Sequence, residues 1–295
     1  AFADVTAAAD PKRLPDVWIV AIGISRYAYQ PQLPAAHEDA RSIAQAFSQM
    51  SPQSFATAHV RTLLNEDASP EAIRGALAEL SQMKRDDVAV VFLAGHGFKV
   101  NDKEMVFATG GIGLDPGRSI GLASNHSVSW SDMGAALRKA SGRVLVLLDA
   151  CHSGDVTQDL VVPNEALAEA LTREGRAGAV VFAAAKGRQE SIERNAAGAA
   201  ARRGLGLSTD AVPLLPTIGA ESSGGHGVFT AALLAALHDP ITDVDKDGVL
   251  QLSEVVAEVT RRVALATGGR QTPFVPHDEL LGDWGLARTP KGSSN

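Results

Sequence analysis

Five short apolar runs recur along the chain, each followed by polar or amphipathic sequence: "VWIVAIGIS" (17–25), "AHVRTLL" (58–64), "DVAVVFLAG" (87–95), "RVLVLLDA" (143–150) and "AGAVVFAAA" (177–185). Such runs, rich in β-branched residues, are strands buried on both faces. Helical patterns separate or follow them. "AAHEDARSIAQAFSQM" (35–50) is amphipathic, and the next helix opens with Ser69 as N-cap and Pro70 at its first position. Further helices read at 131–140, 164–173, 227–239 and 252–267. Buried strands alternating with helices must be covered on both sides, which predicts an α/β fold of three layers, α/β/α, around a mostly parallel sheet. Residues 1–15 read as a disordered lead-in, 16–286 as one domain, 186–226 as a long mobile loop within it, and 287–295 as a flexible tail.

Composition narrows the function. A net charge of −7 argues against a general nucleic-acid binder. The longest apolar runs are too short to span a membrane. A single cysteine excludes an internal disulfide and any multi-cysteine metal site. The opening "AFAD" has the small alternating residues of a signal-peptidase site, which leans towards an exported bacterial protein, although a trimmed start reads the same way.

That one cysteine, Cys151, follows the fourth strand in "LLDACHSGD", and "AGHG" closes the third strand with His96 between two glycines. Reactive groups of an open parallel sheet gather at the carboxyl ends of its strands. If strands three and four are neighbours, about 4.8 Å apart, thiol and imidazole share one crevice. A free thiol, with a pKa near about 8.5, needs such a base to become a nucleophile at neutral pH. The backbone N–H groups of Gly97 and Cys151 are then candidate oxyanion donors. A second "GHG" (225–227) has no strand to hold it against Cys151, and His152 diverges from its neighbour, so neither is taken as the partner.

"AGHG" after one strand and "DACHSG" after the next resemble the peptidase C14 superfamily of caspases, metacaspases and bacterial orthocaspases. His96 and Cys151 are 55 positions apart, close to the roughly 50 found in caspases. "VWIVAIGISRY", "HEDA", "HGVFTAALL" and "RQTPFVP" extend the likeness over about 15–285. The resemblance implies a caspase–haemoglobinase fold with a six-stranded sheet, and a cysteine endopeptidase with His96 as base and Cys151 as nucleophile. Leu33 stands near the position where caspases that cut after aspartate carry an arginine. Asp39 and Asp149 stand where metacaspases carry the carboxylates of a pocket for basic residues. The resemblance therefore implies cleavage after Arg, and less readily Lys. Ala94 departs from the serine that metacaspases often have two residues before the histidine. Arg202 and Arg203, in the Gly/Ala-rich 186–226 stretch, are the expected self-cleavage sites. Like metacaspases, the chain is expected to act as a monomer on peptides or proteins, with no organic cofactor.

"DVDKDGVLQLSE" (243–254) fits an EF-hand loop. Asp243, Asp245, Asp247, the Val249 carbonyl, Gln251 and Glu254 stand at positions 1, 3, 5, 7, 9 and 12, with Gly248 at 6, the pattern that wraps one Ca²⁺. The competing function is a calcium-binding, caspase-like scaffold with little turnover. Retention of both His96 and Cys151 favours the enzyme.

Overall fold

The computed structural model describes residues 14–51, 53–101, 104–113, 125–151, 179–185, 192–194, 200–202, 208–209, 225–276 and 283–289, and only the backbone at 99, 101, 150, 151 and between 192 and 209. The expected helix at 164–173, His152 and Arg203 lie outside these residues.

The five apolar runs form β1 (Val17–Gly23), β2 (Ala58–Leu64), β3 (Val88–Asn101), β6 (Arg143–Cys151) and β7 (Ala179–Ala183), paired in parallel in the order β2-β1-β3-β6-β7. β3 does not turn at "AGHG". It continues to Asn101 and exchanges its parallel partners for an antiparallel one, β4 (Glu104–Ala108), which pairs in turn with β5 (Ser127–Ser129). The described sheet thus has seven strands, two of them an antiparallel ribbon that the apolar pattern does not reveal. The segment "RQTPFVP" meets the β7 edge as one antiparallel bridge. Ala183 and Phe274 exchange N–H···O bonds of 2.9 and 3.0 Å there, and Gln271 Nε2 donates to the Ala184 carbonyl.

Five helices flank the sheet among the described residues: α1 (Ala36–Gln49), α2 (Pro70–Glu79), α3 (Trp130–Leu137), α4 (Val228–His238) and α5 (Leu252–Thr267). α1 packs on α4 and α4 on α5, while α2 packs on α3. Ser69 and Ser129 cap α2 and α3 by accepting the N–H groups of Ala72 and Asp132. α4 is apolar nearly all round and buried at Val228, Phe229, Ala232, Leu233 and Ala236, as a helix enclosed by sheet and neighbours must be. Phe229 meets Phe182 of β7 edge-on at 5.1 Å between ring centres.

Two stretches behave differently from their composition. Within 186–226, Ile192–Arg194 (β8), Ala200–Arg202 (β9) and Ser208–Thr209 (β10) form a small antiparallel sheet rather than a featureless loop. Near the C-terminus, β12 (Gly285–Arg288) pairs with β11 (Val249–Gln251), so a strand occupies the start of the expected tail. No helix among the described residues is long and apolar enough to cross a membrane.

Gly23 sets how closely α1 approaches the sheet. A Cβ there would lie 2.2 Å from the Ala36 carbonyl oxygen and 2.7 Å from the Ala40 Cβ. Gly23→Ala should push the first turn of α1 outward and cost about 1–3 kcal/mol of stability, as overpacking does, measured by urea unfolding.

Candidate active site

In the parallel β3–β6 register, Ala94 pairs with Asp149, Gly95 with Ala150 and His96 with Cys151, the last rung of the pair. Both residues therefore lie on strands, at the point where parallel pairing stops, rather than in turns beyond them. On the other side of β3, Ala94 pairs with Gly23 of β1. Since the missing Cβ of Gly23 would point at α1, and side chains of register partners share a face, Ala94, His96 and Asp149 belong to the face covered by α1.

The His96 ring is fully buried and held on several sides. Its Nε2 lies 2.8 Å from the Pro31 carbonyl oxygen. A carbonyl only accepts, so Nε2 carries the proton and Nδ1 of the neutral ring is the basic atom. The ring lies 4.5 Å from Tyr27 and 5.9 Å from Phe98, centre to centre. Tyr27 Oη accepts the His96 backbone N–H at 2.9 Å and donates to the Ala108 carbonyl. The loop that presents Pro31 is itself pinned. The Gln32 side chain accepts from Tyr27 N and donates to Tyr27 O, and the Asn65 side chain accepts the N–H groups of Ser25 and Arg26. Gly95 packs against this assembly without a side chain, since a Cβ would come within 2.8 Å of both Phe107 and Tyr27.

The backbone of β3 also defines an edge. Successive residues of a strand direct their N–H and C=O groups to alternate sides. The Ala94 carbonyl accepts from Ile24 N, and His96 N donates to Tyr27, both towards β1. The Gly97 N–H therefore points the other way, towards the edge where β6 ends at Cys151.

The expected pocket carboxylates are both buried. Asp149 stands on β6 two residues before Cys151. Asp39, in the first turn of α1, receives the Nδ1–H of His226 at 2.8 Å, and Gly227 N lies 3.2 Å from each of its oxygens. The second "GHG" thus caps Asp39, joining α1 to the start of α4. This hydrogen bond, reinforced by the charges of Asp39 and Glu38 and opposed by burial, holds the His226 pKa above its ordinary value. Leu33 is a core residue with no exposed surface.

Tyr27, Pro31, Gln32, Asn65 and His226 carry much of this geometry. Of these, Tyr27, within the strand motif "VWIVAIGISRY", and His226, within "HGVFTAALL", had a sequence signal, though neither contact was read from it. Arg202 ends β9, paired with Ile192. In the 243–254 loop, Asp243, Asp245 and Asp247 offer oxygens within 4.8 Å of one another, and Glu254 lies in the first turn of α5.

The raised His226 pKa fixes a pH dependence. A proton bound more tightly in the folded state stabilises it fully below the unfolded value, about 6.5, and the gain disappears as pH rises through the folded value. The stability advantage of the parent protein over His226→Gln should therefore be largest near pH 6 and shrink towards pH 9, measured by urea unfolding.

Among curated proteins nothing matches this chain. The crystal structure of protein GSU0716 from Geobacter sulfurreducens is similar, with a TM-score of 0.55 at 17% identity over 94% of this chain and 98% of that one, a likeness of fold. The peptidase C14 family, described as the caspase domain, matches residues 17–281. That span holds the whole parallel sheet and both members of the His96–Cys151 rung, and the chain belongs to this family of caspase-domain peptidases.

Proposed function

We propose that the protein is a cysteine endopeptidase that cleaves after basic residues with a Cys151–His96 dyad. The observation that carries this reading is the His96–Cys151 rung combined with the Pro31 carbonyl on Nε2. Nδ1 of His96 takes the thiol proton, and the Cys151 sulfur attacks the scissile carbonyl carbon. The N–H groups of Gly97 and Cys151 stabilise the oxyanion, worth about 3 kcal/mol per donor in such sites. His96 then returns the proton to the leaving amine, and a water activated by the same imidazole hydrolyses the thioester.

Asp39 and Asp149 are the acidic floor of the specificity pocket. Two carboxylates suit the planar fork of arginine better than the single point charge of lysine. A substrate guanidinium has to share or replace the donors that Asp39 already holds, His226 and Gly227 N. Arg202 and Arg203 are the basic positions available for self-cleavage. Because Arg202 pairs with Ile192 in β9, that cut requires the small sheet to open first.

Release of a fluorophore from matched peptides ending in Arg, Lys or Asp tests the reading. Cleavage should be fastest after Arg, slower after Lys, absent after Asp, and abolished in Cys151→Ala. Asp149→Asn should lower kcat/KM for the Arg peptide about a hundredfold, the scale expected when one partner of a buried charge pair is removed. Preferred cleavage after Asp would overturn the acidic pocket, and full activity in Cys151→Ala would overturn the dyad.

A further inference from the structure

The 243–254 loop is a second site, separate from the dyad. α4 ends at His238, before Pro240, and a single 3₁₀ turn (Pro240–Thr242) leads into the loop. Asp243 is 7% exposed. Its Oδ2 accepts from Gly248 N at 3.0 Å, while its buried Oδ1 has no hydrogen-bond partner. Asp245 and Asp247 bring their oxygens to the same point, within 4.8 Å. Among the described residues no Lys, Arg or His forms an ion pair with any of these three carboxylates or with Glu254. Converging carboxylates, one of them buried with an unsatisfied oxygen, repel one another unless a cation joins them.

The rest of the loop is arranged around that point. Gly248 has φ +85°, in the left-handed region open to glycine. Glu254 is fixed across the loop, with Oε1 accepting Val244 N at 2.7 Å and Oε2 accepting Gln251 N at 2.9 Å. Each oxygen keeps a second lone pair for a metal. β12 completes the loop's strand: Val249 pairs with Arg288, Leu250 is buried against it, and Thr289 N donates to the Gly248 carbonyl. On the helical side, Arg262 of α5 joins Glu258 to Asp239, the residue just after α4.

We propose that this loop binds one Ca²⁺ as a structural staple that fastens β12 and the start of α5 to the end of α4, independently of the peptidase reading. Asp243, Asp245, Asp247, the Val249 carbonyl and Glu254 supply hard oxygens, and the flexible, many-ligand arrangement suits Ca²⁺ better than the strict octahedron of Mg²⁺.

The test is calorimetric titration of the chelator-treated, full-length Cys151→Ala protein with CaCl₂, beside Asp245→Asn and with thermal unfolding of both. Asp245 is exposed, and an Asn side chain can still accept the Asp247 N–H now held by Asp245, so this variant should fold. The expected result is one site with a Kd between about 10⁻⁶ and 10⁻³ M, weakened at least about tenfold in Asp245→Asn. Saturating Ca²⁺ should raise Tm by about 5 °C in the parent and much less in the variant, whose Tm in chelator should be no lower than the parent's because one repelling charge is gone. No binding at millimolar Ca²⁺, or binding and a Tm rise unchanged by Asp245→Asn, would overturn the proposal.

Discussion

The parallel register of β3 between β1 and β6 is the constraint from which the geometry of the candidate site follows. All three strands are buried on both faces, so a slip of one residue would exchange the sets of side chains facing the two helical layers. With the register fixed, Gly23, Ala94 and Asp149 fall on one level and His96 and Cys151 two rungs further along. The close seat of α1 against Gly23 then brings Asp39 to the same face. An imidazole, the one cysteine and two carboxylates, separated by up to 112 positions of sequence, are thereby carried by secondary structure rather than by independent loops.

The two groups of acids are handled by opposite means. Asp39 is buried yet served by a histidine and a backbone N–H, which link α1 to α4. Asp243 is nearly as buried, but one of its oxygens has no donor. Burial alone therefore does not distinguish the two acids. The donors around it do.

Much of this was legible in the chain. The five buried strands stood out because each is a continuous apolar run, and α2 because Ser69 and Pro70 mark its start. His96 and Cys151 were singled out because both motifs close an apolar run, and the register places them on one rung. The continuation of β3 past "AGHG" was not visible, since Phe98, Lys99 and Val100 read equally well as loop or edge strand. β4 and β5 were missed for a similar reason: five and three residues are too few to carry a periodicity. Pro31 acts through its backbone carbonyl, a group every residue possesses, so no residue type announces it. The seat of His226 on Asp39 depends on a contact across 187 positions, which local pattern cannot reveal.

The buried helix α4 has a mechanical consequence. It lies after the 186–224 segment in the chain, yet it packs on α1 and, through Phe229, on β7, both of which precede that segment. His226 and Gly227 grip Asp39, Phe274 bridges to Ala183, and Arg288 N donates to Ser54 Oγ. The two portions of the polypeptide are thus interleaved in one core rather than laid side by side. A break in the backbone anywhere in 186–224 would yield two fragments on a denaturing gel, yet a single particle in solution.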